Sequence, residues 1–316
     1  MIQLDPAGPY APLILRPDVL AAGSTDRELG KLVRRRVLHR VRPGAYVATE
    51  TWDALEPAGR HALLSRAVLS HAGTEVVLSH VSALPEYDAP TWGMPLEVVH
   101  VTRRDRRAGR NEAGVRQHQG RLTDGDVVTR DGVPVTSATR LAIDITTVGQ
   151  TEPALAVVND LLHRKLTSLK AIEKRYASMA HDPYTLGTGL VLRLADGRIE
   201  SVGETRTFFC CWRHSLPAPQ PQWEIRDSTG LVVARLDFAW PELGAWLEFD
   251  GRQKYTRYLR EGESVSDAVL REKHREDLIR ELTGWRCLRV TWADLADQER
   301  LARRIRSLLR MTTAAA

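Results

Sequence analysis

The sequence predicts an α+β half, residues 1–180, joined to an α/β half with a mixed central sheet, residues 190–312. Three observations predict it. A chain of 316 residues, 43% hydrophobic and 27% charged, is too long for one ordinary domain and apolar enough for more than one core. Near the N-terminus a helical pattern passes at once into a short alternating one that breaks at Pro43-Gly44, so a helix and a hairpin adjoin. The last third reads helix, strand, strand, strand, helix, strand, helix, which implies a sheet covered by helices. Between the halves, Asp182-Pro183-Tyr184 with Gly187 and Gly189 breaks the pattern around residues 180–189.

The N-terminal elements follow in order. A helix is expected from Ser24 to about Arg36, because Thr25 and Glu28 have capping-box spacing. Leu29, Leu32 and Val33 form its apolar stripe, while Arg27, Lys31, Arg34 and Arg35 recur at i, i+4, i+7 and i+8 on the other side. Val37 to Val47 carries Arg40 and Arg42 and makes the hairpin. A basic helix followed by a basic hairpin is how a winged helix-turn-helix, here residues 1–50, meets DNA. The helix enters the major groove and the hairpin arginines reach phosphates or the minor groove. A plain solvated face would carry the same charges. A helix over Glu56–Ala72 and strands near Leu96–Thr102, Val115–His118 and Val133–Val135 complete an α/β region of residues 51–180. It ends in a helical stretch from Glu152 to about Asp182.

Net charge is +5 with a pI near 9.3, and the arginines come in bursts at 34–36, 103–104 and 106–107. Such patches favour a polyanionic partner. Cys210, Cys211 and Cys287 form neither a disulfide framework nor a zinc pair, and the adjacent two read as small core residues. With no long apolar run and no leader-like pattern in Met1–Tyr10, a cytoplasmic protein is expected.

Several motifs in this half recur in one order. They are Arg-Val-Arg-Pro-Gly-Ala-Tyr (40–46), Leu-Ser-His-Val-Ser-Ala-Leu (78–84), Val-Val-His-Val-Thr (98–102), Val-Pro-Val-Thr-Ser-Ala-Thr-Arg (133–140) and Ala-Ile-Asp (142–144). In that order, across residues 14–165, the chain resembles the AbiEi-type antitoxins. The resemblance implies a winged helix, a small α/β domain and repression of a type IV toxin–antitoxin operon, with a cognate toxin as a further partner. This chain departs from the family in compressing the helices before the recognition helix into Ile14–Gly23. Ser79, His80 and Ser82 lack an acidic orienter at a telling spacing and read as a structural polar turn. Asp144, in an apolar helix, reads as a buried cap or hydrogen-bond partner rather than a catalyst.

In the C-terminal half, Ser201-Val-Gly-Glu204 opens a helix expected to bury Phe208, Phe209 and Trp212. Strands follow at Gln220–Ile225, Val232–Phe238 and Trp246–Asp250, then a helix near Val269–Leu282 and a strand at Cys287–Thr291. Asp237 ends one strand, and Glu248 and Asp250 share a face of the next by period-two alternation. With Glu204, they crowd like charges, which a hard cation such as Mg2+ (or Mn2+) would relieve. Lys254 lies just beyond, suited to stabilising developing charge. Ordinary strand-end carboxylates in salt bridges are the other reading.

The segments 201–206, 216–222, 235–242, 247–255, 272–277 and 284–295 resemble, in order and spacing, the PD-(D/E)XK nuclease superfamily in its very-short-patch-repair branch. The resemblance implies a restriction-endonuclease-like fold with Glu204, Asp237 and Glu248 as metal-site acids and Asp250 auxiliary. Here Asp250 stands where the E-x-K lysine belongs, and the histidines after Asp-Gly are missing. Either Lys254 replaces that lysine or the site is silent. Arg275 and Arg289 suit phosphate contacts or helix-surface salt bridges. Two functions follow, beside a third, an interaction scaffold, that predicts no DNA affinity. One is a Mg2+-dependent endonuclease acting on double-stranded DNA, targeted by its winged helix. The other is a repressor or antitoxin with a catalytically silent nuclease-like half.

Overall fold

Glu28 donates its backbone N–H to Thr25 Oγ1 (3.3 Å), while Thr25 donates its own to Glu28 Oε2 (2.9 Å). The capping box read from the spacing therefore starts a helix at Asp26. The computed structural model describes residues 12–105, 107, 109–179, 186–251 and 264–310. It is a mixed α and β chain of two compact units, residues 1–161 with 165–193, and residues 162–164 with 194–316.

The first unit begins with β1 (Ile14–Leu15), α1 (Arg16–Ala21), α2 (Asp26–Arg34), β2 (Leu38–Arg42) and β3 (Ala45–Ala48). The strands form an antiparallel sheet in the order β1-β3-β2. Gly44, at φ +83°, makes the turn between β2 and β3, in a conformation that favours glycine. Leu29 packs with Ile14, Val19 and Leu38 into a small core, which fixes the apolar stripe of α2 inward and its basic side outward. After α3 (Thr49–Ala54) and α4 (Pro57–Ser70) comes a six-stranded mixed sheet in the order β6-β7-β5-β4-β9-β8. Its strands are β4 (Val76–Leu78), β5 (Val99–Arg103), β6 (Asn111–Glu112), β7 (Val115–Gln119), β8 (Val127–Arg130) and β9 (Val133–Thr136). Helices α5 (Ala138–Val148), α6 (Thr151–His163), α7 (Leu169–Ala177) and α8 (Leu186–Leu194) follow. The helical stretch expected from Glu152 onward is thus two helices, because Ser168 accepts the Ala171 N–H (3.2 Å) and caps a new start.

The second unit runs α9 (Val202–Arg213), β10 (Gln220–Arg226), β11 (Val232–Trp240), β12 (Ala245–Asp250), α10 (Val265–Thr283), β13 (Arg286–Thr291), α11 (Trp292–Leu295) and α12 (Gln298–Arg310). Its sheet order is β10-β11-β12-β13, antiparallel at the first two pairings and parallel at the last. The element order is the one the sequence implies, except that the one-turn α11 precedes the terminal helix. Two apolar cores pack on this sheet, one with Phe238, Leu247 and Phe249, the other with Leu236, Trp246 and Ile279. Cys210 and Cys211 are buried in the first of these. Trp212, expected inside, is 44% exposed. The buried stripe of α9 passes through Thr207, Cys210 and Cys211 and leaves Trp212 to cover Phe209 from outside. Among the described residues, no helix is long and apolar enough to cross a membrane.

Candidate functional site

Ser201 caps α9, accepting the Glu204 N–H (3.1 Å) and donating its hydroxyl to Glu204 Oε1 (2.7 Å). Glu204 Oε2 accepts the Glu200 N–H (3.0 Å) and the Gln222 side-chain amide (3.1 Å). Glu204 is buried, and burial together with the neighbouring Asp237 carboxylate pushes its carboxyl up to about 7, against the pull of its hydrogen bonds. Asp237 Oδ2 in turn accepts the Phe249 N–H (2.8 Å). A helix N-terminus and the middle of the sheet thus bring two like-charged carboxyls together and fix both.

Gln222 was not singled out by the sequence reading. It sits within β10 at φ +53°, a left-handed conformation that costs a non-glycine residue on the order of 1 kcal/mol or more. The side chain so placed donates to Glu204. The one local sign in the sequence is Pro221, a residue that weakens strand pairing.

Glu248 lies one step along β12 from Leu247, whose partner across the ladder is Phe238, so Glu248 and Asp237 are cross-strand neighbours. Glu248 Oε1 is nevertheless held by Arg275 Nη2 of α10 (2.6 Å), and the same guanidinium donates to Arg235 O (2.8 Å). Arg289 pairs with Glu276 (3.1 Å). Both arginines therefore make the salt bridges that were one of their two readings. Asp250 ends β12, partly buried. Among the described residues, no three carboxylates gather their oxygens within 4.8 Å, so Glu204 and Asp237 are a pair and Glu248 stands with a guanidinium. Lys254 lies outside the described residues.

Of the basic set in the first unit, Arg27, Lys31, Arg34 and Arg35 are exposed along and just after α2, and Arg40 is exposed on β2. Arg42 is partly buried, with Nη1 donating to Ala113 O (3.2 Å). Four cations on one helical face and a fifth on the adjoining hairpin form a surface suited to a polyanion. If that face docks on DNA, Arg34→Ala and Arg35→Ala are each expected to weaken binding and to lower the slope of log affinity against log salt by about one. Fluorescence anisotropy on a duplex from low to moderate salt checks this, and an unchanged slope would argue against α2 as the reader.

No family model and no curated relative matches the chain. Among solved structures, it is similar to the crystal structure of RV2827C protein from Mycobacterium tuberculosis, at 14% identity and a TM-score of 0.38. The match covers 57% of this chain and 71% of that one, a likeness too loose to carry an argument about fold or function.

Proposed function

We propose that the chain is a DNA-binding protein whose α2 and β2–β3 hairpin act as a winged-helix reader and whose second unit is a PD-(D/E)XK-type phosphodiesterase dependent on Mg2+ or Mn2+. The observation that carries this reading is the pair of buried Glu204 and partly buried Asp237, whose mutual repulsion a divalent cation would relieve. Mg2+ commonly binds proteins through one or two carboxylates and completes its shell with substrate phosphate and water, so a pair suffices. When bound, the ion would polarise a scissile phosphate and lower the pKa of an attacking water. Glu204 and Asp237 would hold it. Gln222 and Ser201 keep the Glu204 carboxyl aimed, and the Phe249 N–H does the same for Asp237.

The test is plasmid incubation with Mg2+ or Mn2+. Cleavage by the wild-type chain is expected to fall by on the order of 10²-fold or more in Asp237→Ala and Glu204→Gln, the usual effect of removing an electrostatic contact to the transition state. A second reading is favoured by the Glu248–Arg275 ion pair, which supplies the neutralising charge from the protein itself. In that reading the protein is an antitoxin-like repressor, with a toxin as partner and a silent second unit. DNA binding with no cleavage under either ion would select it.

A further inference from the structure

We propose that His80, His100 and His118 form a binding site for a divalent transition-metal ion of the zinc class in the first unit. These residues come from three separate elements. His80 opens the short 3-10 turn after β4, His100 lies on β5, and His118 lies on β7. In the parallel β5–β7 pairing, Thr102 is opposite His118, so His100, Thr102 and His118 share one face of the sheet. One ring nitrogen from each histidine lies within 4.8 Å of the other two, a grouping that no other set of potential ligands reaches among the described residues. His100 Nδ1 and His118 Nε2 are 2.9 Å apart. Nitrogens around a tetrahedral Zn2+ sit roughly 3.3 Å apart, given Zn–N bonds of about 2.0–2.1 Å, so the ion would replace the His100–His118 hydrogen bond and turn the His80 and His118 rings, which are stacked with centroids 3.7 Å apart, until their lone pairs converge.

Four further features support a site rather than a packing accident. First, His80 adopts φ +51°, a strained backbone conformation of the kind kept where a side chain must be aimed. Second, its Nδ1 lies 2.9 Å from Ser79 Oγ, and Thr102 Oγ1 donates to that hydroxyl at 2.8 Å. In the tautomer whose Nδ1–H donates to Ser79, Nε2 carries the lone pair that faces a ligand, the way outer partners set metal-binding histidines. Third, Asp144 is 1% exposed and gives Oδ1 to Arg140 Nε (2.6 Å), but its Oδ2 has no hydrogen-bond partner. It is electrostatically coupled to His118, and a carboxylate beside a ligating imidazole is the usual supporting shell. Fourth, His100 lines an open cavity of about 490 Å³ with Arg116 and Val115, which offers an entry path.

Burial keeps all three imidazoles below their ordinary range. The nearby guanidiniums of Arg116 and Arg140 oppose a cation, and Asp144 offsets part of that charge. Three neutral nitrogens with an open fourth position suit Zn2+ or Co2+ and disfavour Mg2+, which prefers oxygen.

The test uses the full chain, stripped with a chelator and held in excess Mg2+ so that any oxygen-ligand site is filled. Titration with Co2+ is expected to give one equivalent bound, with tetrahedral visible absorption that Zn2+ abolishes. In His118→Ala and His100→Gln with native circular dichroism, affinity is expected to fall at least about 100-fold, beyond what losing an outer partner costs. If those variants do not fold, X-ray absorption at the cobalt edge of the wild-type complex decides. Three imidazole scatterers uphold the site, and an oxygen-only shell overturns it. A wild-type chain that binds no more Co2+ or Zn2+ than His118→Ala overturns it as well. None of these outcomes depends on DNA cleavage by the second unit.

Discussion

Arg140→Met is expected to destabilise the first unit by about 3–5 kcal/mol, the effect of removing one partner from a buried ion pair. Arg140 is 5% exposed, and Asp126 and Asp144 are buried. Its Nε donates to Asp144 Oδ1 at 2.6 Å, its Nη1 donates to Arg121 O at 3.1 Å, and Nη1 lies 3.9 Å from Asp126 Oδ2. Asp126 does not depend on Arg140 alone, because Arg175 holds both of its oxygens (2.8 and 2.7 Å) and the Thr123 N–H adds a third bond (2.8 Å). The loss therefore concentrates on Asp144, whose Oδ2 already lacks a hydrogen-bond partner. Methionine fills much of the arginine volume, so the cavity contribution is small and the unpaired carboxylate dominates. Arg140→Met/Asp144→Leu, which removes both charges, is expected to regain most of the stability. Native-state hydrogen exchange of the α5 amides, in chelator, reads this unit without the other. A single-variant loss below about 1 kcal/mol, or no recovery in the double variant, would contradict this account.

The strands of the second unit were legible because period-two alternation and turn residues bracket each one, and register then made Asp237 and Glu248 neighbours. What alternation does not encode is where each carboxylate finds its partner. Glu204 reaches Asp237 because a cap fixes the first turn of α9, whereas Glu248 is claimed by Arg275, 27 positions further along the chain. That choice depends on how α10 packs on the sheet through Ile279, a tertiary fact. The histidine group was illegible for a similar reason. His80 reads from the sequence only as part of a structural polar turn, His100 and His118 are unremarkable there, and only the β4–β5 and β5–β7 pairings bring their elements together. Strand β4, three residues long, is too short to show a period. The buried and exposed sides of α2 are legible in the sequence because helix geometry is local. Thr25 and Glu28 set its start, and Leu29 sets its buried side.

Gly203→Ala is expected to destabilise the second unit by about 1–3 kcal/mol, although the same change in an unobstructed helix stabilises by roughly 0.5–1 kcal/mol. A Cβ at this position would lie 2.1 Å from Phe249 Cε1, 2.2 Å from Cζ and 2.5 Å from Cδ1. The Phe249 ring cannot swing clear cheaply, being buried and set edge-on against Trp292, with centroids 5.2 Å apart at 87°. The added methyl must push α9 from β12 or displace Phe249. Either movement reaches the candidate site, since Gly203 precedes Glu204 and the Phe249 N–H holds Asp237. Gly203→Ala/Phe249→Leu shortens the obstructing side chain and is expected to recover part of the stability, as read by hydrogen exchange of the α9 amides. Absence of recovery would mean that the contact between α9 and Phe249 is not the cause. In the nuclease reading, Gly203→Ala also lowers cleavage while leaving DNA affinity intact, because the α2 surface belongs to the other unit. In the silent reading only the stability changes. One glycine thus separates a carboxylate pair maintained for chemistry from one that is a relic of helix capping.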